Sequence, residues 1–337
     1  MSLVKKPIRE WRDVDPERFQ NEIAPLYRPA VIRQYLKDWP ALQAQNESID
    51  ALAQYIRGFD SGNNVVTYRG APDIGGRFFY QDEMEGFNFD RVQETFAQAL
   101  ESILAHRDNP EPPSIYTGAV NLQDNLPGFA RENHCDLVGS TAVARIWVGN
   151  AATVSTHYDL LDNIVCVVSG RRRFTLFPPE QLTNLYVGPL DFTLSGQPVS
   201  MVNLQNPDFD RFPRFKEALA AAEVAELEPG DALYLPKLWW HHVESLDPFN
   251  AIVNYWWDQT ALGSDTAFTT LMHGLLTLRH LPMKEKQAWQ AFFNHYLFRS
   301  EAEATAHIPE RKRGILGNMT PELYRKIKGH VLAMINR

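Results

Sequence analysis

Two short stretches hold residue types that could do chemistry. In TVSTHYDLLDN, His157 and Asp159 stand two apart, and on a β-strand that spacing puts both side chains on one face. In GDALYLPKLWWHHVESL, His241 and His242 follow two tryptophans within a strand-like pattern. Charging an imidazole in apolar surroundings is costly, so such a ring is there either as packing or as a neutral ligand. One of these histidines, joined to His157 and Asp159, would put two nitrogens and a carboxylate on one side of a metal. That is the arrangement of non-haem Fe(II) oxygenases, which leaves coordination positions open. The same set suits zinc in a hydrolase or isomerase, or a non-catalytic protein that binds a metal or senses a small acid. Neither motif carries this alone, because His-x-Asp recurs in turns and WWHH also reads as a packed aromatic strand. Strand neighbours face opposite ways, so only one of His241 and His242 can point inward.

Alternation in RRRFTLF groups Arg172 with Phe174 and Leu176, and places Arg171, Arg173 and Thr175 on the other face. Arg172 is therefore expected to point inward, where an unpaired charge is expensive. Its fork of donors suits a carboxylate. That carboxylate is either an internal Asp or Glu or the far end of a dicarboxylic cosubstrate such as 2-oxoglutarate.

These side chains need elements to hold them. From about 114 to 258 the sequence reads as short strands separated by Gly, Pro, Asn and Asp: SIYTGAV, AVARIWVG, TVSTHYD, NIVCVVSG, RRRFTLF, EVAEL, DALYLP, HHVESL and NAIVNYWW. Such a run predicts an antiparallel sandwich or barrel. Before it, SIDALAQYIRG predicts a helix with Ser48 as N-cap and Gly58 as stop, and DRVQETFAQALESILAHRD a helix capped by Asp90. NVVTYRG and GRFFYQ read as strands between them. After 260, TAFTTLMHGLLTLRHL, KEKQAWQAFFNHYLF and TPELYRKIKGHVLAMIN carry apolar residues at helical spacing. The expected division is 1–110, a mixed α/β region packing on the barrel; 111–259, the catalytic β-barrel; and 260–337, a helical region.

The 337 residues carry a net charge of −8, which argues against a nucleic-acid partner. With two cysteines, Cys135 and Cys166, no disulfide framework is expected and a reducing compartment fits. The start MSLVKKPIREWRDVD has no apolar signal region and no run reaches the length of a membrane span, so the expected location is cytoplasmic, without a membrane.

HYDLLDNIVCVVSGRRRFTLFPP, NPDFDRFPRF, GDALYLPKLWWHHVESL and NAIVNYWW resemble, in order and spacing, the JmjC/cupin-like Fe(II)/2-oxoglutarate oxygenases. Within that family the similarity is to the asparaginyl hydroxylase of hypoxia-inducible factor and related bacterial cupin-like proteins, strong over about 114–258. The resemblance implies a mainly β fold with flanking helices, a double-stranded β-helix (jelly-roll) with a helical C-terminal extension. It implies His157, Asp159 and His241 as iron ligands, leaving His242 without a catalytic role. Tyr116, Asn163, Arg172 and Asn254 would bind the cosubstrate 2-oxoglutarate. Arg172 stands where the family usually has a lysine. Val154 stands where it often has a hydroxyl residue, for which Thr153, Ser155 or Thr156 could substitute. The implied activity is hydroxylation of a side chain in a protein or peptide, with N-methyl demethylation as the alternative. By analogy of type, the C-terminal helices would form a homodimer.

Overall fold

Every strand expected between 114 and 258 forms. A computed structural model describes residues 6–258, 263 and 265–336. Its strands are β1 (Glu10–Trp11), β2 (Ala30–Ile32), β3 (Asn64–Gly70), β4 (Asp90–Thr95), β5 (Ser114–Asn121), β6 (Val143–Gly149) and β7 (Thr153–His157). They continue as β8 (Asp162–Ser169), β9 (Arg172–Phe177), β10 (Glu223–Leu227), β11 (Ala232–Leu235), β12 (Trp240–Ser245) and β13 (Asn250–Trp257). A 9-stranded sheet runs β1-β2-β11-β8-β13-β6-β5-β3-β4, and a 4-stranded sheet runs β10-β9-β12-β7. Neighbours are antiparallel except β1 with β2. The two sheets form a jelly-roll, and β1 to β4 lengthen the larger one at both ends.

Period-two alternation decides what each face buries. The inner faces of the two sheets meet in one apolar cluster that includes Val165, Val167, Leu233 and Ile252 from the large sheet and Phe174, Leu176 and Val243 from the small one. On the outer face of the large sheet, Ile146, Val148, Cys166 and Val253 pack with Phe19, Leu52, Ile56 and Phe96 from the N-terminal region. Cys135 joins this cluster, and both cysteines are buried free thiols. The outer face of the small sheet packs Trp240 and Phe177 against Leu185, Val202 and Phe215, from a long insert between β9 and β10.

Ser48 caps the helix Ile49–Arg57, accepting from the Ala51 amide, and Gly58 ends it, as expected. The stretch from Asp90 is a correction. Asp90–Thr95 is not helix but β4, paired along β3. The helix Phe96–Ala105 starts only after Thr95, which forms a capping box with Gln98. The helical periodicity was real from 96 onward, but the six residues before it are captured by an unpaired sheet edge. GRFFYQ also departs from expectation. It forms no ladder, only isolated bridges at Arg77 and Tyr80, and its rings pack with Phe87, Phe89 and Tyr116 instead.

Contacts divide the chain into Met1–Asp258 and Gln259–Arg337; the expected boundary at 259/260 itself lies outside the described residues. The second unit has the three expected helices, Ala267–Leu278, Met283–Tyr296 and Pro321–Ile335, and none of them buries a residue. No described helix is long and apolar enough to cross a membrane.

Candidate metal centre and anion pocket

β7 and β12 lie side by side with His157 and His241 as direct cross-strand partners, so the pairing register itself brings the two imidazoles together. Their ring centroids are 4.1 Å apart. Asp159 reaches them by a different route from the one its spacing suggests. β7 ends at His157, so Asp159 lies in the following loop and not on the strand face. Two hydrogen bonds dock that loop on the turn before β12: the Leu238 amide donates to the Asp159 carbonyl at 2.9 Å, and the Lys237 amide to Asp162 Oδ1 at 3.1 Å. His241 Nε2 then stands 3.9 Å from Asp159 Oδ2. One ligand atom from each of His157, Asp159 and His241 falls within 4.8 Å of the others, the one such group among the described residues.

The tautomers follow from the backbone. His157 Nδ1 is 2.8 Å from the Ser155 carbonyl and His241 Nδ1 is 3.1 Å from the Trp239 carbonyl. A carbonyl can only accept, so both Nδ1 atoms carry a hydrogen, which leaves Nε2 of each ring as the atom a metal would take. Burial pushes the His241 pKa well below its ordinary value, keeping the ring neutral. Burial pushes Asp159 upward, opposed by His157 and by the amide of Asn163, which donates to Oδ2 at 3.3 Å.

His242 points away from this group. Its Nδ1 meets Thr156 Oγ1 at 3.3 Å, it is 2 % exposed, and burial lowers its pKa to about 3. It packs behind the sheet, tying the two ligand strands together. The tryptophans of WWHH are also packing: Trp239 sits in the cluster between the sheets and Trp240 in the outer one.

His157, Asp159 and His241 open into a cavity of about 150 Å³ that also touches Tyr116, Asn163, Arg172 and Asn254. All seven expected site residues therefore share one space. Arg172 points inward beside Phe174 and Leu176, as its alternation predicted, while Arg173 on the other face pairs with Glu226 and Glu244. The β8–β9 turn that sets this register needs Gly170. Its φ is +72°, and a Cβ there would lie 2.5 Å from the Phe249 carbonyl. Gly149 has a similar role, since a Cβ would lie 2.6 Å from the Tyr116 ring that covers it.

Arg172 is 0 % exposed, and Nε, Nη1 and Nη2 have no hydrogen-bond partner among the described residues. The internal carboxylate that could have paired with it is absent from every described ion pair. Burial lowers its pKa, opposed by the neighbouring Tyr116 hydroxyl; burial in turn raises Tyr116, opposed by Arg172. Leaving such a charge unmatched costs several kcal/mol, so this cavity would favour an anion.

Some residues of the site had no signal in the motifs. Of the three hydroxyls flanking Val154, Thr153 Oγ1 accepts from Gln205 and Thr156 bonds His242. Only Ser155 Oγ is buried, unpartnered and on the cavity wall. Tyr68, Phe78 and Phe89 wall one side, and Leu194, Ser195 and Gln197 come from the insert. That insert segment is pinned by Tyr80, donating to the Phe192 carbonyl at 2.5 Å, and by Arg91, donating to the Leu194 carbonyl at 2.6 Å. Aromatic richness at 78–89 was the one hint available.

This jelly-roll with its inward-facing site defines a class. A profile described as a cupin-like domain matches residues 16–262, and the chain belongs to that family. It is 39 % identical over 256 residues to HSPB1-associated protein 1 of Bos taurus, covering 72 % of this chain and 50 % of that one. It is 36 % identical over 126 residues to lysine-specific demethylase JMJ31 of Arabidopsis thaliana, covering 37 % and 22 %. Over 119 residues it is 38 % identical to tRNA wybutosine-synthesizing protein 5 of Mus musculus, covering 35 % and 34 %. The chain spans half or less of the length of these relatives.

Proposed function

We propose that the protein is an Fe(II)- and 2-oxoglutarate-dependent oxygenase that hydroxylates a side chain of a protein or peptide. The observation that carries this reading is Arg172, a buried guanidinium that no described acid pairs with, on the same cavity as two imidazoles and a carboxylate grouped as metal ligands. A metal face alone would suit many chemistries; a metal face with an anion socket calls for an acidic cosubstrate. The donor set fits ferrous iron: two neutral nitrogens and one carboxylate, held from one side.

His157, Asp159 and His241 would hold the iron, which with 2-oxoglutarate and O₂ supplies the oxidising power for a C–H bond, leaving succinate and CO₂. The residues do the rest. Arg172 takes the far carboxylate through its fork of donors, with the hydroxyls of Tyr116 and Ser155 beside it. Asn163 spends one N–H on Asp159 and Asn254 spends one on Asn163. Each amide keeps a second hydrogen for the 2-oxo acid end. Phe78, Phe89, Trp147 and Trp256 wall the cavity and exclude water.

The kinship with a protein named a lysine-specific demethylase supports a second reading, oxidation of an N-methyl group by the same site. We also propose a homodimer through the C-terminal helices. Leu276 is 73 % exposed, Phe292 56 % and Phe298 77 %, and helices of this length are marginal without a covered face. A second copy offers the matching apolar surface.

Anaerobic Fe(II) with 2-oxoglutarate should give a visible charge-transfer band, and succinate should form only with both iron and O₂. In the His157→Ala variant both signals should vanish. Succinate formation that survives this substitution, or proceeds without iron, removes the oxygenase reading and leaves a zinc hydrolase or a sensor.

A further inference from the structure

Away from the cavity, the outer face of the large sheet brings the two cysteines together. Cys166 lies in β8, with Ala232 of β11 and Val253 of β13 as its cross-strand neighbours, and packs in the outer cluster. Residues 133–136 cross that face, and four hydrogen bonds fix them on either side of Cys135. Tyr255 Oη donates to the Asn133 carbonyl at 2.8 Å, and Trp39 Nε1 to the His134 carbonyl at 3.0 Å. The Ala41 amide donates to Asn133 Oδ1 at 2.9 Å, and the Asp136 amide to Tyr35 Oη at 3.0 Å. Held in this way, Cys135 meets Cys166 in a thiol–thiol hydrogen bond. The two residues are 6 % and 0 % exposed.

More than packing converges on Cys135. Tyr35 Oη accepts from the Asp136 amide, so its own hydrogen is left for the Cys135 sulfur, its second partner. The Leu137 amide and the Cys166 thiol serve the same sulfur. A cysteine acting as a small apolar filler needs none of these donors. The hydrogen bond from Cys166 holds the Cys135 thiol below its ordinary value against burial, with Tyr35 and Leu137 adding to it. Burial pushes Cys166 well above its own, so one sulfur is prepared as the nucleophile while the other keeps its proton. We infer that Cys135 and Cys166 form a peroxide-sensitive pair, in which Cys135 attacks the oxidant and Cys166 resolves it as an intramolecular disulfide. The Cys135 sulfur attacks one oxygen of hydrogen peroxide; the O–O bond breaks, and the hydroxide takes up a proton and leaves as water. Cys135 is then a sulfenic acid. The Cys166 sulfur gives up its proton and attacks the Cys135 sulfur; an S–S bond forms, the S–O bond breaks, and a second water leaves. Two thiols have passed two electrons to one peroxide. The link ties β8 to the 133–136 segment and closes a loop in the unfolded chain.

The full chain, kept free of iron by a chelator, can be treated with hydrogen peroxide, unfolded in N-ethylmaleimide and weighed intact. Its mass should fall by two hydrogens, no maleimide should add, and a tryptic digest should hold the Cys135 and Cys166 peptides linked within one chain. The urea midpoint should rise and return to its starting value with dithiothreitol. Cys166→Ser keeps a donor beside Cys135 and should leave Cys135 trapped by dimedone as its sulfenic acid, whereas Cys135→Ser should leave Cys166 unreactive. Two maleimides added after a peroxide treatment that fully oxidises free glutathione overturn the inference. So does a disulfide between two chains, or equal trapping of the two single cysteines. Oxidation no faster than global unfolding, as measured by hydrogen exchange, overturns it as well.

Discussion

The β unit and the C-terminal helical unit are built on opposite terms. Within Met1–Asp258, the strands of the jelly-roll bury both faces: one between the sheets, the other under the N-terminal helices or the insert. Within Gln259–Arg337, three helices of 12, 14 and 15 residues bury nothing. In the β unit the unmatched groups at the cavity are polar, the donors and acceptors around Arg172 and Asn254 that have no partner among the described residues. What is unmatched in the helical unit is apolar. Unmet hydrogen bonds at a cavity point to a small polar ligand, whereas unmet apolar area on helices points to a macromolecular surface.

That contrast can be broken first at Arg172. Arg172→Met should raise the 2-oxoglutarate concentration needed for binding by about 100-fold, since it removes a charge-assisted pair of hydrogen bonds. The same variant without ligand should melt higher, because replacing an unmatched buried charge by an apolar chain is stabilising by about 1–4 kcal/mol. Calorimetry reads both; a lower melting temperature would mean that Arg172 has an internal partner after all. On the helical side, Leu276→Glu combined with Phe292→Glu should halve the mass measured by light scattering. Binding of 2-oxoglutarate should remain intact. An unchanged mass would remove the dimer.

Smaller effects sharpen the account of the β unit as a self-sufficient fold. Thr95→Ala removes the capping box where β4 hands over to the helix Phe96–Ala105, and should cost about 1 kcal/mol in urea denaturation. Asp247 is held below the usual carboxylate range chiefly by the hydrogen bond from Arg171. A depressed carboxylate adds stability above its unfolded pKa of about 3.9 and loses it as pH falls through the lower folded value. Asp247→Asn should therefore lower the melting temperature at pH 6 slightly, by less than about 1 kcal/mol in stability for so exposed a pair. The difference should shrink as pH falls below about 3.9.

Legibility followed the range of the forces involved. β5 to β13 could be read because alternation and turn residues are local, and Arg172 could be placed inward because Phe174 and Leu176 flank it. Asp90–Thr95 misread as helix because a helix begins immediately after it and because its strand partner, β3, lies about 25 residues earlier, outside any local window. Ser155 could not be singled out from Thr153 and Thr156. All three are small hydroxyl residues on one short strand, and only their partners, Gln205 and His242, separate them. The aromatic wall at 78–89 was not legible because no periodicity announces residues that act from a loop.

Sequence by itself determined which residue types were present in metal-binding proportion, which strands would hold most of them, and that one arginine would be driven inside. Those outcomes depend on neighbours a few positions away. Tertiary structure alone decided that Asp159 arrives from a loop docked by Leu238, that Arg172 finds no internal acid, and that Asn254 gives an N–H to Asn163. Each of these depends on a hydrogen bond made or missing between segments distant in the chain, and a linear pattern carries no record of such pairings.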